Sequence, residues 1–159
     1  MSYDSTDDTL KHIHRVQELL LVARENLEKR ALVHDMSKMG SPEKEIFDEM
    51  TPKLKACTYG SEEYKGFLKE MKVALDHHYA NNSHHPEHYP EGIRGMTLLD
   101  LLEMICDWKA AGERHADGNI FRSIDINKKR YDISDDLDRI LFNTVVELGF
   151  SKSGDKEHG

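Results

Sequence analysis

Residues 97–114, TLLDLLEMICDWKAAGER, decide the fold class. Leu98, Leu101, Leu102, Ile105 and Trp108 recur at three- and four-residue spacing, which is the period of an α-helix and not of a strand. Thr97 followed by Asp100 has the form of a capping box, in which each side chain accepts from the other residue's backbone N–H and the helix start is fixed. A second strip, Asp100, Glu103, Met104, Asp107, Ala110 and Ala111, mixes carboxylates with small apolar side chains and suits either a solvent face or the wall of a pocket. If the strip is interior, a charged carboxylate such as Asp107 needs a cation or paired donors to stay ionised.

The same period runs outward in both directions. From about Thr9 to Arg30, Ile13, Val16, Leu20, Ala23 and Leu27 share one helix face, expected to be buried. A short helix is expected to hold His34 and Asp35 and to end at Gly40. Ser41-Pro42-Glu43 then has the N-cap, proline and early acid of a helix start, and the helix runs toward Cys57. Ser61 is placed to cap the next segment, whose stripe is Tyr64, Phe67, Leu68, Met71 and Leu75 and which fades at Asn81-Asn82. The stretch NNSHHPEHYPEGIRG, 81–95, is rich in turn residues. A turn at Asp117-Gly118 precedes a helix over Ile120 to Tyr131, and Ser134 caps the last helix, which ends at Gly149. No strand-like alternation of useful length occurs. The expected architecture is all-α, a single helical domain of six or seven helices over 9–150, with a flexible N-terminus at 1–8 and a disordered tail at 151–159.

Length and composition agree with one core. The chain of 159 residues carries a formal net charge of -8, which opposes broad contact with a phosphate backbone and argues against duplex nucleic acid as a partner. Cys57 and Cys106, the two cysteines, lie far apart and without CxxC spacing, so neither a disulfide framework nor a cysteine zinc site is expected, and the compartment read from them is the cytoplasm. The longest apolar run, Leu19 to Ala23, is too short to span a bilayer, so no membrane partner is expected.

The chemistry-bearing residues fall in separated places: His12 and His14, His34-Asp35, five histidines between His77 and His88, and Asp107. At about 100° per residue, His12 lies about 50° from the centre of its apolar stripe and faces the interior, whereas His14, about 150° away, meets water. His78 lies about 20° from its own stripe centre and His77 about 120° away, which suits His78 to an inward role. Taken singly each has a plainer reading: His12 as a satisfied core imidazole, Asp35 as a cap, the histidine loop as an adventitious metal binder. Taken together, histidines and carboxylates drawn from several helices have the character of a metal site.

This series, with HIHRV at 12–16, ALVHDMSK at 31–38, HHPEHYPEGIRG at 84–95 and EMICDWKAA at 103–111, resembles the HD-domain superfamily of metal-dependent phosphohydrolases, over roughly residues 9 to 114. The loop is in part similar to the HD-GYP branch. The GYP triplet is absent, however, and the His78-to-His84 spacing is shorter than in that branch, so a cyclic-dinucleotide substrate is not implied. The resemblance implies a hydrolase acting on a nucleotide or other small phosphorylated metabolite with a metal-activated water. His12, His34, Asp35, His78, His84, His85 and Asp107 are then the metal ligands, Asp35 and Lys38 the catalytic pair, and Lys38, Lys109 and Arg114 the substrate-facing cations. Two divalent ions are implied, with Asp35 bridging them roughly 3.5–4 Å apart. A nitrogen and carboxylate set without thiolate suits Mn, Fe, Co, Ni or Zn. Small helical proteins of that superfamily often dimerise, so a homodimer is implied as well. Two other readings stand beside this one: an HD-type di-iron oxygenase, and a non-catalytic metal- or nucleotide-binding helical module. Ferritin-like di-iron bundles are set aside because no Glu stands three residues before any histidine.

Overall fold

The computed structural model describes residues 3–56, 62–114 and 118–150. The chain is all-α: seven α-helices, three short 3-10 segments and no strand among the described residues. The tail expected at 151–159, the cap expected at Ser61 and Asp117 of the expected turn lie outside the described residues. Among the described residues no helix is long and apolar enough to cross a membrane. The chain divides into one unit comprising Met1–His34 and another comprising Asp35–Gly159.

In the first unit, α1 spans Thr6–Val33 and so begins three residues earlier than the apolar period indicates. Asp4 explains the earlier start, because its Oδ1 accepts from the Thr6 backbone N–H at 3.0 Å and from Thr6 Oγ1 at 2.6 Å. Asp7 and Asp8 in the first turn and Arg30 in the last complement the helix dipole. The stripe expected to be buried is not: α1 has no buried residue, and Ile13, Val16 and Leu20 are exposed. A helical period fixes which side chains share a face, and it says nothing about what covers that face.

The second unit begins with a 3-10 turn at Met36–Met39 and continues through α2 (Glu43–Ala56), α3 (Glu62–Glu70) and α4 (Lys72–Asn81). The single amphipathic segment expected here is two helices that meet at the buried Met71. The break is slight, since the Met71 N–H still donates to Phe67 O and its carbonyl accepts from the Leu75 N–H, both at 2.9 Å. Helix α2 packs on α4 and on the 3-10 turn, with Met50, Met71 and Ala74 buried. The 81–95 stretch is not a formless loop: it holds 3-10 turns at Pro86–His88 and Gly92–Gly95.

Helices α5 (Leu98–Gly112), α6 (Ile120–Tyr131) and α7 (Asp135–Glu147) follow. Their core is Leu101, Met104 and Ile105 from α5, Ile120, Phe121 and Ile124 from α6, Ile133, and Leu141 and Val145 from α7. Each such side chain contributes about 1.5–3 kcal/mol when fully buried. The termini form as their sequences dictate. Asn119 Oδ1 caps α6 by accepting from the Phe121 and Arg122 backbone N–H groups at 2.8 and 3.2 Å, and Ser134 Oγ accepts from the Leu137 N–H at 3.3 Å. Lys128 pairs with Asp135 and Asp138 and so joins α6 to α7.

The capping box at the start of α5 reaches further than a cap. Asp100 is fully buried. Its Oδ2 accepts from the Thr97 N–H at 2.8 Å, Thr97 Oγ1 at 2.7 Å and Tyr89 Oη at 2.8 Å, and its Oδ1 accepts from Ser83 Oγ at 2.7 Å. Burial by itself raises a carboxyl's pKa, but the donors from Ser83, Thr97 and Tyr89 outweigh it and hold Asp100 well below the usual carboxylate range. One carboxylate thus ties both ends of the histidine-rich stretch to α5. Arg130 and Tyr131 of α6 tie its middle, donating to Glu87 Oε1 at 2.7 and 3.0 Å.

Because the folded-state Asp100 carboxyl is the stronger acid, its stabilising contribution is complete above about pH 4 and is lost as pH falls below that. Asp100→Ala is expected to lower unfolding free energy by on the order of 3 kcal/mol, since it strands several buried donors. It should also flatten the acid limb of the stability profile. Denaturant melts of both proteins between pH 3 and 7 measure this; equal acid slopes would remove Asp100 from the account.

Candidate metal centre

The sequence reading places His34 and Asp35 on one short helix, with side chains diverging as helical neighbours do. The backbone corrects this. His34 is the C-cap of α1 with φ -50° and ψ 123°, and Asp35 stands at φ 57°, in the left-handed region, ahead of the 3-10 turn. Aspartate is among the few residues with a side chain that visit this region readily. Nothing in VHDMS carries the Gly or Pro signal of a break. Asp35 leaves the helix direction, and its carboxylate meets the residues of α4 and of the stretch after it.

Four of the expected ligands converge in the second unit. Asp35, His78, His84 and His85 each offer one ligand atom, and these atoms all lie within 4.8 Å of one another. Asp35 Oδ1 is 3.3 Å from His78 Nε2 and 3.4 Å from His84 Nε2. His78 Nε2 is 2.9 Å from His85 Nε2. His78 and His84 are buried, and His85 and Asp35 are half-buried. Three imidazole nitrogens and one carboxylate oxygen, with no thiolate, form a donor set that fits a divalent transition metal. A carboxylate oxygen of Asp107 also lies within 4.8 Å of one of Asp35.

The electrostatics favour the ligand form of His78 and His85. Burial holds His78 below its ordinary value, and the Lys38 ammonium adds to the effect. His85 is pushed down to about 3, first by burial and then by its neighbours His84 and His78. A neutral imidazole keeps the lone pair that a metal needs. Lys38 Nζ, expected to meet a phosphoryl oxygen, lies 2.6 Å from Asp35 Oδ2 and 5.8 Å from the centre of the Phe47 ring.

His12 and His14 belong to α1 of the first unit, and both are exposed; the inward face expected for His12 is not realised. His34, the last residue of that unit, is half-buried. His77 turns to Glu43, with Nδ1 2.7 Å from Oε1. Lys109 pairs with Glu113 at 3.2 Å, and Arg114 is exposed beyond the end of α5. Ile120 and Phe121 are core residues.

Two residues that the sequence reading left without a role stand behind the cluster. Glu43, fully buried, has Oε2 2.9 Å from His78 Nδ1. Glu103 has Oε1 3.2 Å from His84 Nδ1. Glu43 reads in sequence only as an early helical acid, because the contact that defines it spans 35 positions. Glu103 was visible as a member of the mixed strip of α5, of which Asp100 and Met104 are interior while Ala110 and Ala111 are exposed.

An imidazole whose folded-state pKa is depressed is protonated first in the unfolded chain, so the folded state loses stability as pH falls below about 6.5. For His85 the loss continues down to about pH 3. In metal-free protein, the His78 ring-proton resonances should titrate below about pH 6.5, and those of His85 should show no midpoint between pH 7 and 5. A midpoint near 6.5 for either ring would contradict the buried, neutral cluster.

No curated protein and no solved structure matches the chain. The family model that does match spans residues 1–147, nearly the whole sequence. The chain belongs to that family, the family of unknown function DUF5662.

Proposed function

We propose that the protein is a metal-dependent phosphohydrolase of small phosphoesters, a nucleotide or another phosphorylated metabolite. The observation that carries the reading is the convergence of Asp35 with His78, His84 and His85 inside 4.8 Å. A divalent transition metal held there supplies Lewis acidity toward a phosphoryl oxygen and makes water a competent nucleophile near neutral pH.

The residues divide the remaining work by charge and position. Asp35 brings the negative charge, and His78, His84 and His85 bring neutral nitrogen donors, so the set retains a cation without cancelling its charge. Asp107, whose carboxylate lies close to that of Asp35, is the residue that would help to hold a second ion. Lys38 is 41% exposed on its side chain and sits at the rim, anchored by Asp35. From there its ammonium can turn to a phosphoryl oxygen and stabilise charge that develops as the ester bond breaks. The half-buried stretch around His85, tied to α5 and α6 through Asp100 and Glu87, keeps the donor geometry fixed while substrate enters.

Elemental mass spectrometry of purified, tag-free protein should find stoichiometric transition metal, lost in Asp35→Ala together with phosphoester hydrolysis. His14→Ala, on the exposed α1, should change neither. Lys38→Ala should keep the metal and lower kcat by on the order of 10²-fold, the usual cost of one transition-state donor. Full turnover by Asp35→Ala, or no metal uptake even after anaerobic loading with manganese or iron, would sink the reading.

A further inference from the structure

A histidine presents one of two nitrogens to a ligand, and the choice is made by whatever holds the proton on the other. Around His78 that choice is built into the structure. Its Nε2 faces Asp35 Oδ1 and His85 Nε2, and its Nδ1 faces Glu43 Oε2. An ionised carboxylate only accepts, so Nδ1 must donate and Nε2 must carry the lone pair. His85 Nε2 is then the donor across the 2.9 Å between the two rings.

Glu43 is an unusual residue to find in that place. It is fully exposed to none of the solvent, with 0% of its surface accessible, and among the described residues its ion-pair partners are the imidazoles of His77 and His78. Burying a carboxylate beside neutral groups is costly unless its lone pairs are filled by donors. Here one oxygen takes His77 Nδ1 at 2.7 Å, the other takes His78 Nδ1 at 2.9 Å, and the Ser37 hydroxyl donates as well. Asn82 Nδ2 donates in turn to Ser37 Oγ at 2.8 Å, which orients that hydroxyl. A glutamine would set its amide N–H₂ against one of two adjacent N–H donors, whereas a carboxylate accepts from both.

The arrangement occurs twice. His84 repeats it, with Glu103 at Nδ1 and Asp35 at Nε2. His85 has no carboxylate behind it among the described residues. We infer that Glu43 is a positioning residue that locks His78 with its proton on Nδ1 and its Nε2 lone pair toward Asp35, and that Glu103 does the same for His84. His78 and His84 are thereby the preset ligands and His85 the adaptable one. This inference rests on the proposed metal-binding reading.

The test uses the full chain labelled with ¹⁵N-histidine. Long-range ¹H–¹⁵N correlation of metal-free protein reads each tautomer, and zinc(II) affinity is measured against a chromophoric chelator. Wild type should show His78 protonated on Nδ1. Glu43→Met, which removes both acceptors at similar volume, should move His78 toward the Nε2–H form and weaken zinc(II) binding by about 10–100-fold, the usual cost of losing such a partner. Glu43→Gln, with one acceptor left, should fall between. His78 protonated on Nε2 in wild type overturns the inference without any variant, even if Glu43→Met fails to fold. Unchanged tautomer and zinc(II) affinity in a folded Glu43→Met also overturn it. Wild type that binds no zinc(II), manganese(II) or iron(II) is a different result: it removes the metal-binding reading itself.

Discussion

A carboxylate sealed from water must find donors, and Asp100 finds them on three segments at once. Its bonds to Thr97 start α5, its bond to Ser83 holds the residue beside His84, and its bond to Tyr89 holds the far side of the same stretch. Backbone polar groups in such a stretch are usually satisfied by water. Here they are partly internal, in two 3-10 turns, while the His88 ring donates from Nδ1 to the Tyr79 carbonyl at 2.8 Å. Gly95 completes the clamp, since a Cβ there would lie 2.7 Å from Tyr89 Cβ. The histidine-bearing segment is therefore anchored at several points without being a helix, and the placement of His84 and His85 follows from it.

In a strongly acidic chain, the cluster of Asp35, His78, His84 and His85 is not a dense carboxylate cage. One carboxylate, Asp35, points into the cluster, and two more, Glu43 and Glu103, stand behind the imidazoles. Burial holds His78 and His85 below their ordinary values, and for His78 it does so against the pull of Glu43, which by itself favours the charged ring. Lys38 offsets Asp35 on its other oxygen, Oδ2.

Much of the fold was legible because helix starts and stops are local chemistry. The Thr97–Asp100 box, the Ser134 cap and the bounds of α5 and α6 follow from residues within a few positions of each other, and the Asn119 cap, not singled out in the sequence, is equally local. What was not legible depended on partners elsewhere in the chain. The apolar stripe of α1 is real as a pattern and exposed as a surface. The inward turn of His78 over His77 followed from its place on the stripe that also buries Met71 and Ala74. Asp35 followed a different rule: its left-handed backbone has no marker in the neighbouring residues. Glu43 could have been suspected only by asking what a buried imidazole pair requires, since its distance in sequence from His77 and His78 hides the contact.

The backbone at Asp35 also reorders which replacements count as mild. A φ of 57° is tolerated by glycine, asparagine and aspartate and resisted by longer or branched side chains. Glycine has no oxygen to offer, asparagine has no charge, and glutamate, the usual stand-in for aspartate, keeps the charge but strains the chain at the point where it leaves α1. When both the left-handed turn and an anionic oxygen are demanded at one position, the alphabet available to that position shrinks to a single letter. Asparagine then becomes the closest mimic of shape and glutamate the closest mimic of charge, and neither is conservative.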